Sequence, residues 1–369
     1  MTTRAATQEA WRMRWEELAN NRWTLPVVLA IIFALTFIVP TFGLLNEYVQ
    51  LILMYVGINI ILTASLNLIN GYMGEFSVGH AGFMLIGAYV SSILTVLVLP
   101  RGLGDLVSSL VTFPIAIVAG GAAAALAGLV VAFPSFKTRG DYLAIVTLAF
   151  NMIAVSVVQN IEAIGGPRGF LGMDKLTTMP WVFVCAAISI WVIRNFVYSN
   201  FGRGVISIRE DETASELVSV DTRQVKVLAF VLSSFFAGTA GALYAHLLQF
   251  VTPSAFTILK STDMLVMVYL GGIGSLGGSI LGATTYTVLL EILREVFGWL
   301  KFLPFFSDLP SLEVWRWVVA PLMLILLMIF RPSGIMGLRE FRWLTPGRDR
   351  LAAAEWRKQK EVANAPSAD

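Results

Sequence analysis

The sequence has 369 residues, of which 57% are hydrophobic and 14% charged, with a formal net charge of +2 and a mean hydropathy of +0.75. A soluble domain of average composition carries about 25% charged and about 45–50% apolar residues, so much of the usual polar covering is missing and a water-soluble enzyme is disfavoured. The small net charge, spread over many connections, gives no reason to expect a nucleic-acid partner, and the single cysteine, Cys185, excludes an intrachain disulfide and a CxxC metal site.

In chain order, residues 1–24 carry Arg4, Arg12, Arg14 and Arg22 against Glu9, Glu16 and Glu17, with no small-residue cleavage site behind a short apolar core. They read as a cytoplasmic tail entering an uncleaved span. Eight long uncharged windows follow, of 24 residues between Arg22 and Glu47, 27 up to Glu75 and 25 up to Arg101. Next come 31 from Asp105 to Lys137, 20 from Asp141 to Glu162, 18 from Lys175 to Arg194, 33 from Lys226 to Lys260 and 27 from Asp263 to Glu291. Each reaches the roughly 18 residues that make a stretch a candidate for crossing a bilayer. The windows predict spans at 26–41, 48–70, 79–99, 107–133, 140–160, 179–198 and 226–250. Residues 262–292, split by the glycine run 271–278, read as two short segments that enter and return, and a last span falls at 314–330. The total is about ten membrane segments in an all-α, polytopic membrane protein, with a permease domain at 25–331 and a cytoplasmic tail at 332–369.

Placing both termini inside puts 19 of the 26 lysines and arginines on the cytoplasmic side, as the positive-inside tendency requires. The spans are nearly empty of charge, so no chain of intramembrane carboxylates offers a proton relay. Energy for transport must then come from outside this chain, or the protein is a passive pore. The longest cytoplasmic connection, 199–225, supplies a contact point: on a helix, Ile208, Leu217 and Val218 offer an apolar strip beside acidic residues, of the kind that docks in a partner's groove. A solvated helix that binds nothing fits the same periodicity.

Other features also have two readings. The glycines of 71–82 suit close helix packing or a pore lining, and those of 271–278 suit a broken helix bordering a solute path. His80 and His246 read as helix-end hydrogen-bonding groups ahead of ligands. Asp141, beside Arg139, complements a helix dipole, and Gly165–Gly169 is a turn by composition that also faces the side from which cargo would be delivered.

Six pieces, in order, resemble the permeases of branched-chain amino acid ABC transporters, LivM type: Asn70–Phe83, Thr138–Leu148, Gly165–Gly169, Gly202–Ala242, Gly271–Gly278 and Arg331–Gly337. The resemblance covers roughly 45–340 and implies a type II importer permease fold in a bacterial inner membrane. It further implies two ATP-hydrolysing subunits beneath, a second related permease beside it and a periplasmic substrate-binding protein, all within membrane lipid. By that analogy the coupling residues are Arg203, Ile208, Arg209, Glu210, Asp211, Glu212, Glu216 and Leu217. The translocation path is expected near Gly74, Glu75, Ser77, Gly79, His80, Gly271, Gly272, Gly274 and Ser275. No cofactor or metal is implied, and the chain has no GxxxxGK[ST] phosphate loop, so it should not hydrolyse ATP alone.

Two residues depart from the family pattern: Glu75, where Gln or an apolar residue is more frequent, and Ser219, where Gly is common and whose replacement should alter a helix stop. Leucine, isoleucine and valine are the default solutes of the resemblance, with urea or short amides as an alternative. A passive channel or secondary transporter would work without ATPase partners. A membrane enzyme would need a clustered His, Asp, Glu or Ser set at one depth, which the sequence does not present.

Overall fold

The computed structural model describes residues 45–98, 108–137 and 142–300, with isolated positions at 33–43 and 318–345. The chain divides into two units, one of Met1–Leu35 with Glu340–Asp369 and one of Thr36–Arg339. The first lies almost wholly outside the described residues, so the following concerns the second. The expected spans at 26–41 and 314–330 also fall almost entirely outside them, as do Arg139 and Asp141.

Ten helices are described. They are α1 (Glu47–Asn67), α2 (His80–Ile93), α3 (Phe113–Ser135), α4 (Tyr142–Gln159), α5 (Met179–Val197), α6 (Asn200–Glu210), α7 (Glu212–Leu217), α8 (Thr222–Leu248), α9 (Ile258–Gly271) and α10 (Leu276–Leu300). Seven are long and apolar enough to cross a membrane once the π-helical extensions of α1, α2 and α3 are included: all but α6, α7 and α9. Local signals start them. Glu47 puts a negative charge on the first turn of α1, where the helix dipole favours it. Pro114 and Pro180 occupy first-turn positions in α3 and α5, where a missing N–H costs nothing.

Helices α1 and α8 form the centre, with 72% and 67% of their most apolar windows buried, whereas α4 and α5 lie at the periphery with 28% each. The peripheral helices present Ile145, Met152, Ile153 and Trp191 outward, as lipid or a partner span requires. Helices α2, α3 and α8 meet backbone to backbone. A Cβ added to Gly87 would fall on the Gly238 backbone, and one added to Gly120 would reach the Gly87 carbonyl at 2.7 Å. Small residues at such crossings replace side-chain interdigitation with direct backbone packing. At the end of α8 farthest from Lys226, a two-residue antiparallel ladder pairs β1 (Phe170–Leu171) with β2 (Phe250–Val251).

The sequence placed the interruption within 262–292 correctly, but the two arms are not both short. Helix α9 has 14 residues, whereas α10 runs for 25 and continues through Glu291, Arg294 and Glu295. The uncharged window ended at Glu291, yet the helix does not: these charges lie at the end of a span, where long side chains reach polar surroundings.

Candidate functional site

The connection between α5 and α8 is an elbow built by three side-chain caps. Ser199 Oγ accepts from Gly202 N at 3.2 Å, Asp211 Oδ1 from Ala214 N at 2.9 Å, and Asp221 Oδ1 from Gln224 N at 3.0 Å. Each oxygen satisfies an amide that a helix start leaves without an internal partner. Asp211 has extended backbone (φ −161°, ψ 113°) and separates α6 from α7. That corrects the single apolar strip expected here. Ile208 is buried with Val205 on the inner face of α6, whereas Leu217 and Val218 are 82% and 73% exposed at the far tip of α7. An acidic residue that caps a new helix cannot also continue the old one.

Beneath the elbow, two helices are interrupted. Helix α1 widens into a π-helical turn, Leu68–Met73, and stops at Gly74 with φ +76°. Helix α9 stops at Gly271, and the chain crosses Gly272 (φ +128°) and Gly274 (φ +74°) before α10 begins. Asn67 stitches the two interruptions together. Its Nδ2 donates to the Ser275 carbonyl and to Ser279 Oγ, both at 2.8 Å, while its Oδ1 accepts from Gly274 N at 2.9 Å. The last carbonyls of α9 are also taken: Leu270 O accepts from Ile335 N at 2.9 Å and Gly271 O from Met336 N at 3.0 Å. Ser275 Oγ accepts from Gly278 N at 2.9 Å and caps α10.

Two cations join the elbow to this stitched floor. Arg209, near the end of α6, donates through Nη1 to the Gly71 carbonyl at 3.2 Å and pairs with Glu210 at 2.6 Å. Its side chain fills the space beside both interruptions: an added Cβ would meet Arg209 Cγ at 2.6 Å from Gly74, and Arg209 Nη1 at 3.1 Å from Gly274. Lys226, the fifth residue of α8, lies 2.7 Å from Glu75 and 2.8 Å from Glu212. Its side chain is 8% exposed, against 22% and 39% for the two carboxylates. Glu75, the departure from the family pattern, is thus the partner of a nearly buried lysine that also holds the elbow.

Ser77, Gly79 and His80 lie beside this floor, where the chain turns from the π-helical end into α2. Ser77 N donates to Asn70 Oδ1 at 3.2 Å, and Val78 N to Thr147 Oγ1 at 3.2 Å. His80 Nε2 lies 2.9 Å from Ser65 Oγ. The same hydroxyl lies 3.0 Å from the Leu62 carbonyl. Three buried polar atoms here, Ser77 Oγ, His80 Nδ1 and Asn151 Oδ1, have no hydrogen-bond partner among the described residues.

The structure therefore gathers five of the six sequence pieces at one end of the bundle: 70–83, 202–242, 271–278, 331–337 and, through Thr147, the piece at 138–148. Gly165–Gly169 stands at the other end of α8, where a Cβ on Gly169 would strike the Val251 carbonyl. Of the expected coupling residues, Arg209 reaches the floor, Glu212 pairs with Lys226, Glu216 accepts from Thr222 Oγ1 at 3.3 Å, and Glu210 is 70% exposed. Sequence reasoning missed Asn67 and Lys226. Asn67 was hidden in a run read only for its hydropathy, although an amide at that position in a span is a signal, because a buried amide needs partners. Among the described residues no group of three His, Cys, Asp or Glu side chains could hold a metal.

Comparison with known proteins places the chain in a family. A family model described as a branched-chain amino acid transport system permease component matches residues 48–328. The high-affinity branched-chain amino acid transport system permease protein LivM of Escherichia coli K12 is 31% identical over 76% of this chain and 68% of its own length. A probable branched-chain amino acid transport permease, LivM, of Methanocaldococcus jannaschii is 25% identical over 79% of this chain and 93% of its own. The ribose import permease RbsC of Escherichia coli K12 is 24% identical over 78% and 86%. No solved structure matches. The chain belongs to the branched-chain amino acid transport system permease family of integral membrane proteins.

Proposed function

We propose that the chain is the membrane-spanning subunit of an ATP-driven importer for branched-chain amino acids, with a type II fold of about ten segments. Its partners would be two ATP-hydrolysing subunits, a second related permease and a periplasmic binding protein, with both termini in the cytoplasm of a bacterial cell. In this reading the chain hydrolyses nothing itself. The observation that carries it is the elbow: Leu217 and Val218 stand bare at its tip, while Arg209 and Lys226 tie its base to Gly71 and Glu75 at the α1 interruption, which Asn67 in turn bonds to the interruption before α10. A partner gripping the tip would move the α6–α7 pair as one lever against Gly71–Glu75 and Gly272–Ser275. Such a device has two arrangements whose balance a nucleotide-dependent partner can shift.

The inner end of the solute path would then run past Gly74, Glu75, Ser77, Gly79 and His80 on one side and Gly271–Ser275 on the other. The buried Ser77 Oγ, His80 Nδ1 and Asn151 Oδ1, which have no partner among the described residues, would gain hydrogen bonds if a movement of the wall opened them to a passing solute, and the stitched glycines give the wall two hinges. The test is uptake of labelled leucine, acetamide, urea and ribose by proteoliposomes carrying the chain with its co-purified subunits, with and without enclosed ATP. ATP-dependent accumulation of leucine above the external concentration supports the reading. Equal leucine entry without ATP would make the protein a channel, and preference for urea or acetamide would replace the solute.

A further inference from the structure

At the other end of α10, three helices turn complementary stripes toward one partly enclosed cavity of about 270 Å³. Helix α10 contributes Thr287, Leu290, Glu291 and Arg294, spaced three, four and seven residues apart, which puts them on one face. Helix α1 contributes Ile52, Tyr55 and Asn59 at the same kind of spacing, α9 contributes Lys260 and Met267, and Tyr244 of α8 closes the side. Glu291 is 15 residues beyond the start of α10, about 22 Å along the helix at 1.5 Å per residue. The cavity is thus well separated from the elbow and from the glycine floor.

Its chemistry is mixed in a specific way. Both charge signs line it: Lys260, Arg294 and, 3.4 Å from the Arg294 guanidinium, the Glu291 carboxylate. Glu291 is 27% exposed, whereas Arg294 is 62% exposed and sits at the rim beside Tyr48. Lys260 lies over the Tyr244 ring, 5.9 Å from its centroid. Below the charges the lining turns apolar: Met267 is buried and packs with Val266, Leu270 and Tyr286, with Leu290 against them. Asn59 and Thr287 satisfy one another at 2.9 Å, and Tyr286 OH is bonded to the buried Asp263 carboxylate below the floor, so these deeper polar groups already have partners. Pockets that select small molecules combine an apolar body with a few convergent polar groups, and this volume, just under the usual drug-sized range, suits a smaller solute.

We propose that this cavity is a binding site for a zwitterionic α-amino acid with an aliphatic side chain. The solute carboxylate would face Lys260 and Arg294, its ammonium would face Glu291, and its side chain would lie toward Met267 and Leu290. The inference rests on the reading of the chain as an amino-acid permease, and adds a solute site that the resemblance did not suggest. Charge-assisted bonds at both ends of a solute would give selection, because a molecule lacking either group would strip water from the charge opposite without replacing it.

The test uses the full chain in nanodiscs of phosphatidylcholine and phosphatidylglycerol, which contain no lipid ammonium of the primary kind. It is labelled with the diazirine analogue of leucine and mapped by peptide mass spectrometry. Adducts are expected on peptides containing Ile52–Asn59, Lys260–Met267 or Tyr286–Arg294. Leucine should suppress them, while 4-methylpentanoate and 3-methylbutylamine, each keeping one charge, should be at least tenfold weaker competitors. Glu291→Gln should lower labelling about tenfold and Glu291→Asp should restore part of it, with the elution profile of each variant confirming an intact fold.

Equal competition by a singly charged analogue, or labelling unchanged in Glu291→Gln, overturns the proposal. So does loss of labelling when phosphatidylethanolamine is added, which would assign the cavity to a lipid headgroup. The functional reading is judged separately by uptake: ATP-driven leucine import with no adduct in this cavity would remove the site and leave the transporter. Adducts in a chain whose assembled complex imports no amino acid would keep the site and remove the transporter.

Discussion

The two ends of α10 use charge in opposite ways. At the elbow end, broken helices expose amides and carbonyls, and side chains are consumed in covering them: Asn67 bonds across both interruptions, Arg209 covers Gly71, and Lys226 is shared between Glu75 and Glu212. Around Glu291 and Arg294 the helix is unbroken, and these two residues line an open volume with Lys260. Backbone geometry explains the contrast. Where a helix stops inside a protein its polar groups demand partners, so ionisable residues there hold structure. Where the helix runs through, the same residue types can be presented to a solute.

The comparison is broken most forcefully at Asn67. Asn67→Leu keeps the branched shape but removes three hydrogen bonds and leaves the Gly274 amide without its partner, while the Ser275 carbonyl still accepts from Ser279 N. An unsatisfied group costs about 1–3 kcal/mol and each lost bond about 1 kcal/mol, so we expect a loss of roughly 3 kcal/mol in reversible SDS titrations, against less than about 0.5 kcal/mol for a surface change such as Arg294→Gln. Equal losses at the two sites would show that the elbow end is not the more tightly specified one. Lys226→Met comes next. Removing one member of a buried ion pair costs about 3–5 kcal/mol, but both carboxylates here keep contact with water, at 22% and 39% exposure, which reduces the expected loss to about 2 kcal/mol. Glu75→Gln in the same background should recover part of it, because the paired charge is then gone.

Much of this arrangement was readable in advance, for identifiable reasons. Charge-free windows located six of the seven described spans closely, because a lipid-facing helix cannot hide a charge. The seventh, α10, was shortened, because the window rule stops at Glu291 while a helix end tolerates charge. Gly74, Gly272 and Gly274 were visible as punctuation, and their positive φ values account for it. The elbow's fold was less legible: Ser199, Asp211 and Asp221 are ordinary capping residues, but reading them as caps requires knowing that the 199–225 connection is two helices. The pairing of Lys226 with Glu75, 151 residues apart, and of Asn67 with Gly274, 207 apart, has no local signature. Hydropathy records what leaves water and says nothing about which distant group receives it.

A finer comparison lies within the elbow, between two adjacent residues. Arg209 reaches the floor, whereas Glu210 is 70% exposed and pairs with Arg209. Arg209→Ala removes a charged donor from the Gly71 carbonyl, worth about 1.5 kcal/mol, and should lower ATP-driven uptake at least tenfold with ATP hydrolysis retained. Glu210→Gln removes an exposed pair worth about 0–1 kcal/mol and should leave uptake within twofold. Loss of uptake in both variants would return the acidic face, and not the Arg209 contact, to the centre of coupling.

The smallest effect concerns Ser219. It follows the α7 tip and adopts φ +67°, donating its amide to the Glu216 carbonyl at 3.0 Å while Val220 N donates to Ser215 O at 3.1 Å. The helix stop that a glycine would supply is therefore kept and not altered as the sequence suggested; a serine is held in left-handed backbone, at a cost of about 1–2 kcal/mol relative to right-handed. Ser219→Gly relieves that strain but gives the unfolded chain more freedom, worth about 0.4–1 kcal/mol in the opposite sense. The expected gain is a few tenths of a kcal/mol, seen as a small upward shift of the unfolding midpoint with uptake unchanged. Ser219→Ala should gain nothing, because alanine shares the Cβ that causes the strain. If Ser219→Gly instead slowed ATP-driven uptake while stabilising the fold, the strained turn would belong to the lever itself, since a loosened tip would transmit less of its partner's motion to Arg209 and Lys226.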